Sequence, residues 1–512
     1  MFVLKILLGL AFILWILIFR SRRKYYKLME QVPGPKGLPY FGPMHKIRCL
    51  EDIFTYTEEL SKTYVSPIFI MAGPYPVFVL CDSQNAQDVL TSPHCVNRSG
   101  LYGPMRDVFG NGLLTLGNPE WSVHRKLLNP AFSHENLRSF VPIFNEKTKD
   151  LVKALEVSNT KEAINVLPII QRLTMNMALQ TTMGLKTDTE TNSYDDKTEE
   201  ILFRSYHNLA DKIMTFVVMP WTRFEFVRKF LPSFKSYTTS KNELRKYFVK
   251  LIREKLEPSL TATDTTAIKF KNTVDADVVF QKRQKHIFID IALELLRSGK
   301  FTAQNVEDHA NNMVFGAFET TATTITHAMI LLAMNPKCQQ IAFEEISALY
   351  NDRDNVTVTD EDLQHLVYMD MIINETMRLL PTVPFIGRTA TSDVRLSSGV
   401  VLPEGTQIAI HLFYLHRYKN IWGPNALIFN PENFLPENIK NRHPYAFIPF
   451  TKGIRSCIGW RYGMNATKIV LAILLRKYRF TTTSKFEDLR CEPAVSTRLI
   501  NPPLLKLELR EK

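Results

Sequence analysis

Paired cysteines are missing from this 512-residue chain. Its six cysteines (Cys49, Cys81, Cys95, Cys338, Cys457 and Cys491) are scattered, with no two at CxxC or zinc-finger spacing. That excludes a disulfide framework or a structural zinc module and reads as reduced thiols facing the cytosol. Low-complexity segments are also missing, and with charged residues at 22% of the chain extended disorder is excluded. No repeat of 20–50 residues appears, which rules out solenoids and propellers. No convincing dinucleotide or flavin fingerprint is present, so any reducing equivalents must come from another protein. Basic residues are dispersed. The clearest run, Lys282-Arg283-Gln284-Lys285, leads into a helical pattern without interleaved aromatics, a poor fit to nucleic acid. No second-domain linker follows Phe41.

What is present is apolar bulk: 45% hydrophobic and 11% aromatic residues, enough for a large core. The net charge of +12 is compatible with a generally basic surface, an affinity for an anionic membrane, or an acidic redox partner. From Met1 to Phe19 the chain is apolar except for Lys5, and Arg20-Ser21-Arg22-Arg23-Lys24 follows. A helix of that length just spans a bilayer core of about 30 Å. Bulky Leu17-Ile18-Phe19 replaces the small residues of a cleavage site, so residues 1–24 read as an anchor with a basic stop. Positive charge after the span leaves the remainder in the cytosol. Residues 25–42, with Pro33, Pro35 and Pro39, form a stiff linker. Residues 43–512 then read as one large domain, mainly α with minor β.

Strands are expected at Ile68–Ile70 and Val77–Leu80 around Gly73-Pro74-Tyr75-Pro76, and at Val394–Arg395, Val400–Leu402 and Gln407–Ile410. Long helical patterns run from Glu307 to Met334, Leu363 to Leu380 and Trp460 to Arg476. The apolar run Phe216-Val217-Val218-Met219-Pro220-Trp221 suits either a membrane interface or a buried helix end.

Four local patterns carry chemistry. The first is Phe450-Thr451-Lys452-Gly453-Ile454-Arg455-Ser456-Cys457-Ile458-Gly459. Gly453 permits a tight turn and Gly459 a close backbone approach where the loop enters a helix. The cysteine then meets the positive helix end, which favours thiolate. The rival reading is a buried structural cysteine. The second is Phe315-Gly316-Ala317-Phe318-Glu319-Thr320-Thr321 within the longest helical pattern, an acid beside an alcohol next to two small residues. Its rival is a polar pair on a solvated face. The third is Glu375-Thr376-Met377-Arg378, an E-x-x-R on one helix face that alone means little. The fourth is Trp121-Ser122-Val123-His124-Arg125, whose ends lie one helical turn apart.

In this order and spacing, the four patterns resemble those of the cytochrome P-450 superfamily, microsomal class, over the whole chain after the anchor. The stretch His443-Pro444-Tyr445-Ala446-Phe447-Ile448-Pro449-Phe450 is most similar to clan four, with its insect-type members. The resemblance implies a single haem–thiolate fold and a monooxygenase whose cofactor is iron protoporphyrin IX with Cys457 as axial thiolate. It implies that Arg455, Trp121, Arg125 and Arg388 answer the haem propionates and that Phe450 adjoins the cofactor. Thr320 would hold the dioxygen being reduced, and Glu319 would relay protons from solvent. Electrons would come from an NADPH–cytochrome P-450 reductase. The substrate would be a lipophilic small molecule, handled at the endoplasmic reticulum membrane in contact with its lipid, in hormone or lipid turnover or in breakdown of insecticides and other xenobiotics. No nucleic acid is implied.

Three departures stand out. Ala317 replaces a glycine, and Asn433 in Pro431-Glu432-Asn433-Phe434 replaces the arginine that completes a charged triad with Glu375 and Arg378. Gly316 stands where clan-four members often carry a haem-esterifying glutamate, so no covalent haem link is expected. Two alternatives stay open: a reductase-independent haem–thiolate isomerase or dehydratase, and a non-catalytic membrane protein that binds haem or lipid.

Overall fold

The computed structural model describes residues 25–510 apart from 39–41, 74, 159–161, 186–195, 220–221, 223–224, 262–285 and 351–355, with isolated residues before 25. The expected anchor therefore falls largely outside the described residues, as do the basic run 282–285, Pro74 and the Pro220-Trp221 end of the apolar run. Among the described residues, no helix is long and apolar enough to cross a membrane.

The molecule is built around a 32-residue central helix, Ala303–Met334. It starts because Thr302 and Asn305 form a reciprocal capping box: Asn305 N–H donates to Thr302 Oγ1 at 3.1 Å and Thr302 N–H to Asn305 Oδ1 at 2.9 Å. It ends at Asn335, ahead of Pro336. Such a helix spans about 48 Å. Apolar residues lie on most of its circumference because it separates two cores. On one side Ile325, Leu332 and Ala328 pack with Phe144, Ile372 and Leu471. On the other, Phe315, Phe318 and Val314 pack with Phe109, Tyr206, Phe216 and Phe248.

The expected helix from Leu363 to Leu380 is interrupted at Leu366, whose ψ of 64° leaves the helical region. The second piece, Val367–Leu379, starts where the Glu345 carboxylate accepts from the N–H groups of Tyr368 and Met369, at 2.6 and 3.0 Å. The C-terminal helix, Trp460–Lys477, follows the expectation closely.

The β component is small. Strands β1 (Ile68–Ala72), β2 (Tyr75–Leu80), β3 (Phe385–Thr389), β4 (Val394–Arg395), β5 (Val401–Leu402) and β6 (Gln407–His411) precede the C-terminal helix. After it come β7 (Tyr478–Thr481), β8 (Cys491–Pro493), β9 (Thr497–Leu499) and β10 (Lys506–Leu509). One four-stranded sheet has the order β1-β2-β6-β3, with β2 and β6 parallel and the outer pairings antiparallel. The others are two-stranded, including the β8–β9 hairpin. Phe216 is 1% exposed and meets Tyr237 edge-on at 5.1 Å, so this part of the apolar run is a buried helix end.

Candidate active site

The loop before the C-terminal helix is shaped by its backbone. Gly453 has φ of 77°, and a Cβ there would lie 2.1 Å from the Leu90 carbonyl oxygen, so no other residue fits. Cys457 N–H donates to Phe450 O at 3.0 Å and Ser456 N–H to Gly453 O at 3.1 Å, closing the turn. Phe450 itself packs against the larger core. The Arg125 guanidinium donates to Ser456 O at 3.0 Å and to Asn129 Oδ1 at 2.9 Å, tying the Trp121 helix (Glu120–Leu128) to the cysteine loop. Trp121, 3% exposed, lies beneath Arg455, whose guanidinium carbon is 4.2 Å from the ring centre.

Cys457 stands at the end of this turn. Burial pushes its thiol up, opposed by a bond from the Gly459 backbone and by the charges of Arg125 and Arg98. A coordinating cation would reverse that balance, since a metal-bound thiol deprotonates outright. Cys457 is exposed, as is Gly316 midway along the central helix, with Thr320 half-buried one turn on. A Cβ on Gly316 would touch nothing within 4 Å, so this position leaves room in the helix surface.

Three arginines gather at this loop: Arg455, Arg388 on β3, and Arg98, which no local pattern singled out. Arg455 and Arg388 are 4% and 1% exposed. Arg455 donates to the carbonyls of Leu113 and Leu116, and Arg388 donates to its own neighbour, Gly387 O, at 2.9 Å. Yet Arg455 Nε, Arg388 Nη2 and Arg98 Nε are buried without a hydrogen-bond partner. Among the described residues no carboxylate pairs with any of the three. Burial, and then mutual repulsion with Arg98, pulls Arg388 down to about 9 and Arg455 to about 8. Buried charges without partners are costly, and unsatisfied donors call for an explanation. The donor set, three converging guanidinium groups around a cysteine loop, suits the two carboxylates of a haem whose iron meets sulfur.

On the central helix Thr320 bonds back to Gly316 O at 2.8 Å, the local alternative open to a mid-helix threonine. Glu319 points away from Thr320, towards the 167–183 helix (Leu167–Met183) and the β8–β9 hairpin. Its oxygens accept from Gln171 Nε2 at 2.9 Å and Ser496 Oγ at 2.7 Å. Burial raises its pKa, with Ser496 and Gln171 pulling it back. Sequence reasoning missed Arg98, Gln171 and Ser496. Only contacts spanning more than a hundred residues bring the last two to Glu319.

Glu375 and Arg378 are both 0% exposed and make a two-pronged pair at 2.6 and 2.7 Å. Arg378 also donates to the carbonyls of His416, Ala426 and Ile428. Asn433 donates through Nδ2 to both Glu375 oxygens, at 3.2 and 3.3 Å, where a cation was expected. The cation nearby is Arg442, stacked on Trp422 at 3.9 Å and attracted by Glu375. This cage braces the segment that leads to the cysteine loop.

Comparison with known proteins gives the same picture. The family model "Cytochrome P450" matches residues 32–508. Probable cytochrome P-450 313a4 of Drosophila melanogaster is 41% identical over 508 residues, covering 98% of each chain. Cytochrome P-450 4c3 of the same organism is 28% identical over 94% of this chain and 90% of its own. Cytochrome P-450 4c21 of Blattella germanica is 29% identical over 96% of both. With the match running almost end to end, this chain belongs to the cytochrome P-450 family, is similar to insect members that include clan four, and is a haem–thiolate monooxygenase.

Proposed function

We propose that Cys457 is the axial thiolate and that Arg98, Arg388 and Arg455 hold the haem propionates, with Trp121 and Arg125 bracing them. When bound, the haem supplies reductive activation of dioxygen. Glu319 and Thr320 serve that chemistry as proton donor and oxygen-side hydroxyl, and Gly316 and Ala317 leave room beside them. Electrons come from NADPH through a separate flavoprotein reductase. The substrate is a lipophilic small molecule taken from the membrane, in lipid or hormone turnover or in xenobiotic breakdown. Residues 1–24 anchor the chain in the endoplasmic reticulum membrane, residues 25–42 set the spacing, and residues 43–512 work as one cytosolic domain.

The observation that carries this reading is the set of buried, unpartnered guanidinium donors around the cysteine loop. The ferrous–CO difference spectrum of the solubilised protein tests it. A strongly red-shifted Soret band in wild type, lost in Cys457→Ala, is expected. A Soret band at its ordinary position in wild type, or a Cys457→Ala protein that keeps the red-shifted band, overturns the ligand assignment. Reductase-dependent NADPH consumption separates a monooxygenase from a haem–thiolate isomerase. Removing residues 1–24 should release the protein from microsomes; retention would move the membrane contact elsewhere.

A further inference from the structure

Glu319 has two partners of unlike chemistry, and this unlikeness decides where its proton can travel. Gln171 presents a side-chain amide, which can hold a carboxyl oxygen but cannot pass a proton onward. Ser496 presents a hydroxyl, which donates and accepts at once. That hydroxyl is 5% exposed at the tip of the β8–β9 hairpin and is itself touched by Thr323 Oγ1 at 3.3 Å.

Behind Ser496 and Glu319 lies a cavity of about 50 Å³, between the 167–183 helix, the 196–218 helix (Asp196–Val218), the central helix and the hairpin. That exceeds the roughly 10–15 Å³ a cavity needs before it can hold a water. Its wall carries Thr326, 2% exposed, whose hydroxyl makes no bond within the protein. A mid-helix threonine ordinarily bonds back to its own helix, as Thr320, Thr323 and Thr324 do. The wall is mostly apolar but gathers Thr326, His207, Asp211, Glu319 and Ser496, and a buried hydroxyl left free beside such groups is a water site. At the outer end Arg498 on β9 pairs with Asp211, and both are about a third or more exposed, so the cavity reaches solvent beneath this pair. The groups facing Glu319 are His207 and Asp211 from the 196–218 helix, Ser496 and Arg498 from the hairpin, His327 from the central helix and uncharged Gln171.

We propose that Ser496 is the positioning residue through which Glu319 exchanges its proton with water in this cavity, while Gln171 only anchors the carboxyl group. One proton passes from cavity water through Ser496 Oγ to Oε1 of the carboxylate; the acid becomes carboxylate again when it gives that proton up, and no electron moves. This rests on the reading of Glu319 as the proton donor, and the experiment separates the two.

The test uses the full-length, haem-loaded protein with Glu319→Gln, Ser496→Ala, Ser496→Thr, Gln171→Leu and Thr326→Val. The infrared band of the protonated Glu319 carboxyl, identified by its loss in Glu319→Gln, is followed against pH in the resting protein. Peroxide released per NADPH and the solvent isotope effect are measured alongside. Ser496→Ala should hold the acid protonated to higher pH, because a bond to the carboxylate is lost, and should cut product per NADPH about tenfold, a modest share of what a proton donor contributes. Ser496→Thr should restore both, and Thr326→Val should enlarge the solvent isotope effect. Gln171→Leu should also hold the acid protonated to higher pH, yet release less peroxide than Ser496→Ala and leave the isotope effect smaller than in Thr326→Val. Wild-type behaviour of Ser496→Ala, failure of Ser496→Thr to restore it, or a Gln171→Leu protein that leaks as much peroxide as Ser496→Ala overturns the assignment of Ser496. Wild-type coupling in Glu319→Gln removes Glu319 itself as donor, whatever the serine variants do.

Discussion

Two arginines, Arg378 and Arg455, are buried to nearly the same degree and serve opposite ends. Arg378 is 0% exposed and bonds through all three nitrogens to Glu375 and three backbone carbonyls. Arg455 is 4% exposed, has only carbonyls as partners, keeps Nε unpaired and is repelled by Arg98 and Arg388. The first is closed within the protein. The second is satisfied only by something from outside. Burial alone does not distinguish a structural charge from a binding one; the count of unmet donors does.

The largest effect should come from opening the closed site. Glu375→Ala leaves Arg378 as an uncompensated buried charge, a loss of about 3–5 kcal/mol. The urea midpoint should fall accordingly, with poor haem retention as a consequence of the displaced cysteine loop. A midpoint within about 1 kcal/mol of wild type would mean that the carbonyls suffice to hold Arg378.

Arg455→Met should behave in the reverse manner. It removes a repelled charge from the protein and a donor from the proposed propionate site. Folding stability of the haem-free chain should hold or rise, while haem transfer to an acceptor globin speeds up about 10–100-fold, the worth of one charge-assisted bond of about 1.5–3 kcal/mol. A variant both destabilised and tight for haem would make Arg455 structural like Arg378.

Histidines repeat the contrast on a smaller scale. His416 belongs to the Arg378 cage and accepts from Ile448 N–H at 3.0 Å. His309 meets His124 at 2.9 Å and leaves Nδ1 unpaired. Burial pulls both down to about 3, in His416 opposed by its bond to the Met377 carbonyl and reinforced by Arg378 and Arg417, in His309 reinforced by repulsion from His124. An unfolded histidine titrates near 6.5. Above that value both states are neutral and stability is full. As pH falls from 6.5 towards 3 the unfolded chain gains protons first, so stability drops by about 1.4 kcal/mol per pH unit for each histidine. His309→Gln should flatten the acid limb by about that amount, read from urea unfolding at successive pH values. An unchanged slope would show that His309 is protonated in the folded protein.

How far these sites were legible beforehand depends on the range of their contacts. The cysteine loop, the acid–alcohol pair and the Glu375–Arg378 pair lie within ten residues, so spacing and glycine placement outlined them. Strands β1 and β2 were visible because a Gly-Pro turn separates two apolar runs. Strands β3, β7 and β10 were not, being four or five residues each and held by partners more than fifteen residues away, nor were β8 and β9, a hairpin of three-residue strands too short to show an alternation. Arg98 and Ser496 have ordinary neighbours in sequence, and only tertiary packing brings them to the arginine cluster and to Glu319.

Asn433→Arg gives the smallest and sharpest comparison. It restores the cation expected from the family pattern beside a Glu375 whose oxygens already serve Arg378, the Asn430 backbone and Asn433. A second guanidinium there gains attraction to Glu375 but meets repulsion from Arg378 and from Arg442 on Trp422. These opposing terms should nearly cancel, so the urea midpoint should shift by less than about 1 kcal/mol. Arg442→Ala in the Asn433→Arg background should then cost less than Arg442→Ala alone, since the new arginine takes over its attraction to Glu375. If the two substitutions add without coupling, Arg442 acts on the cage through its stacking on Trp422 and not through its charge.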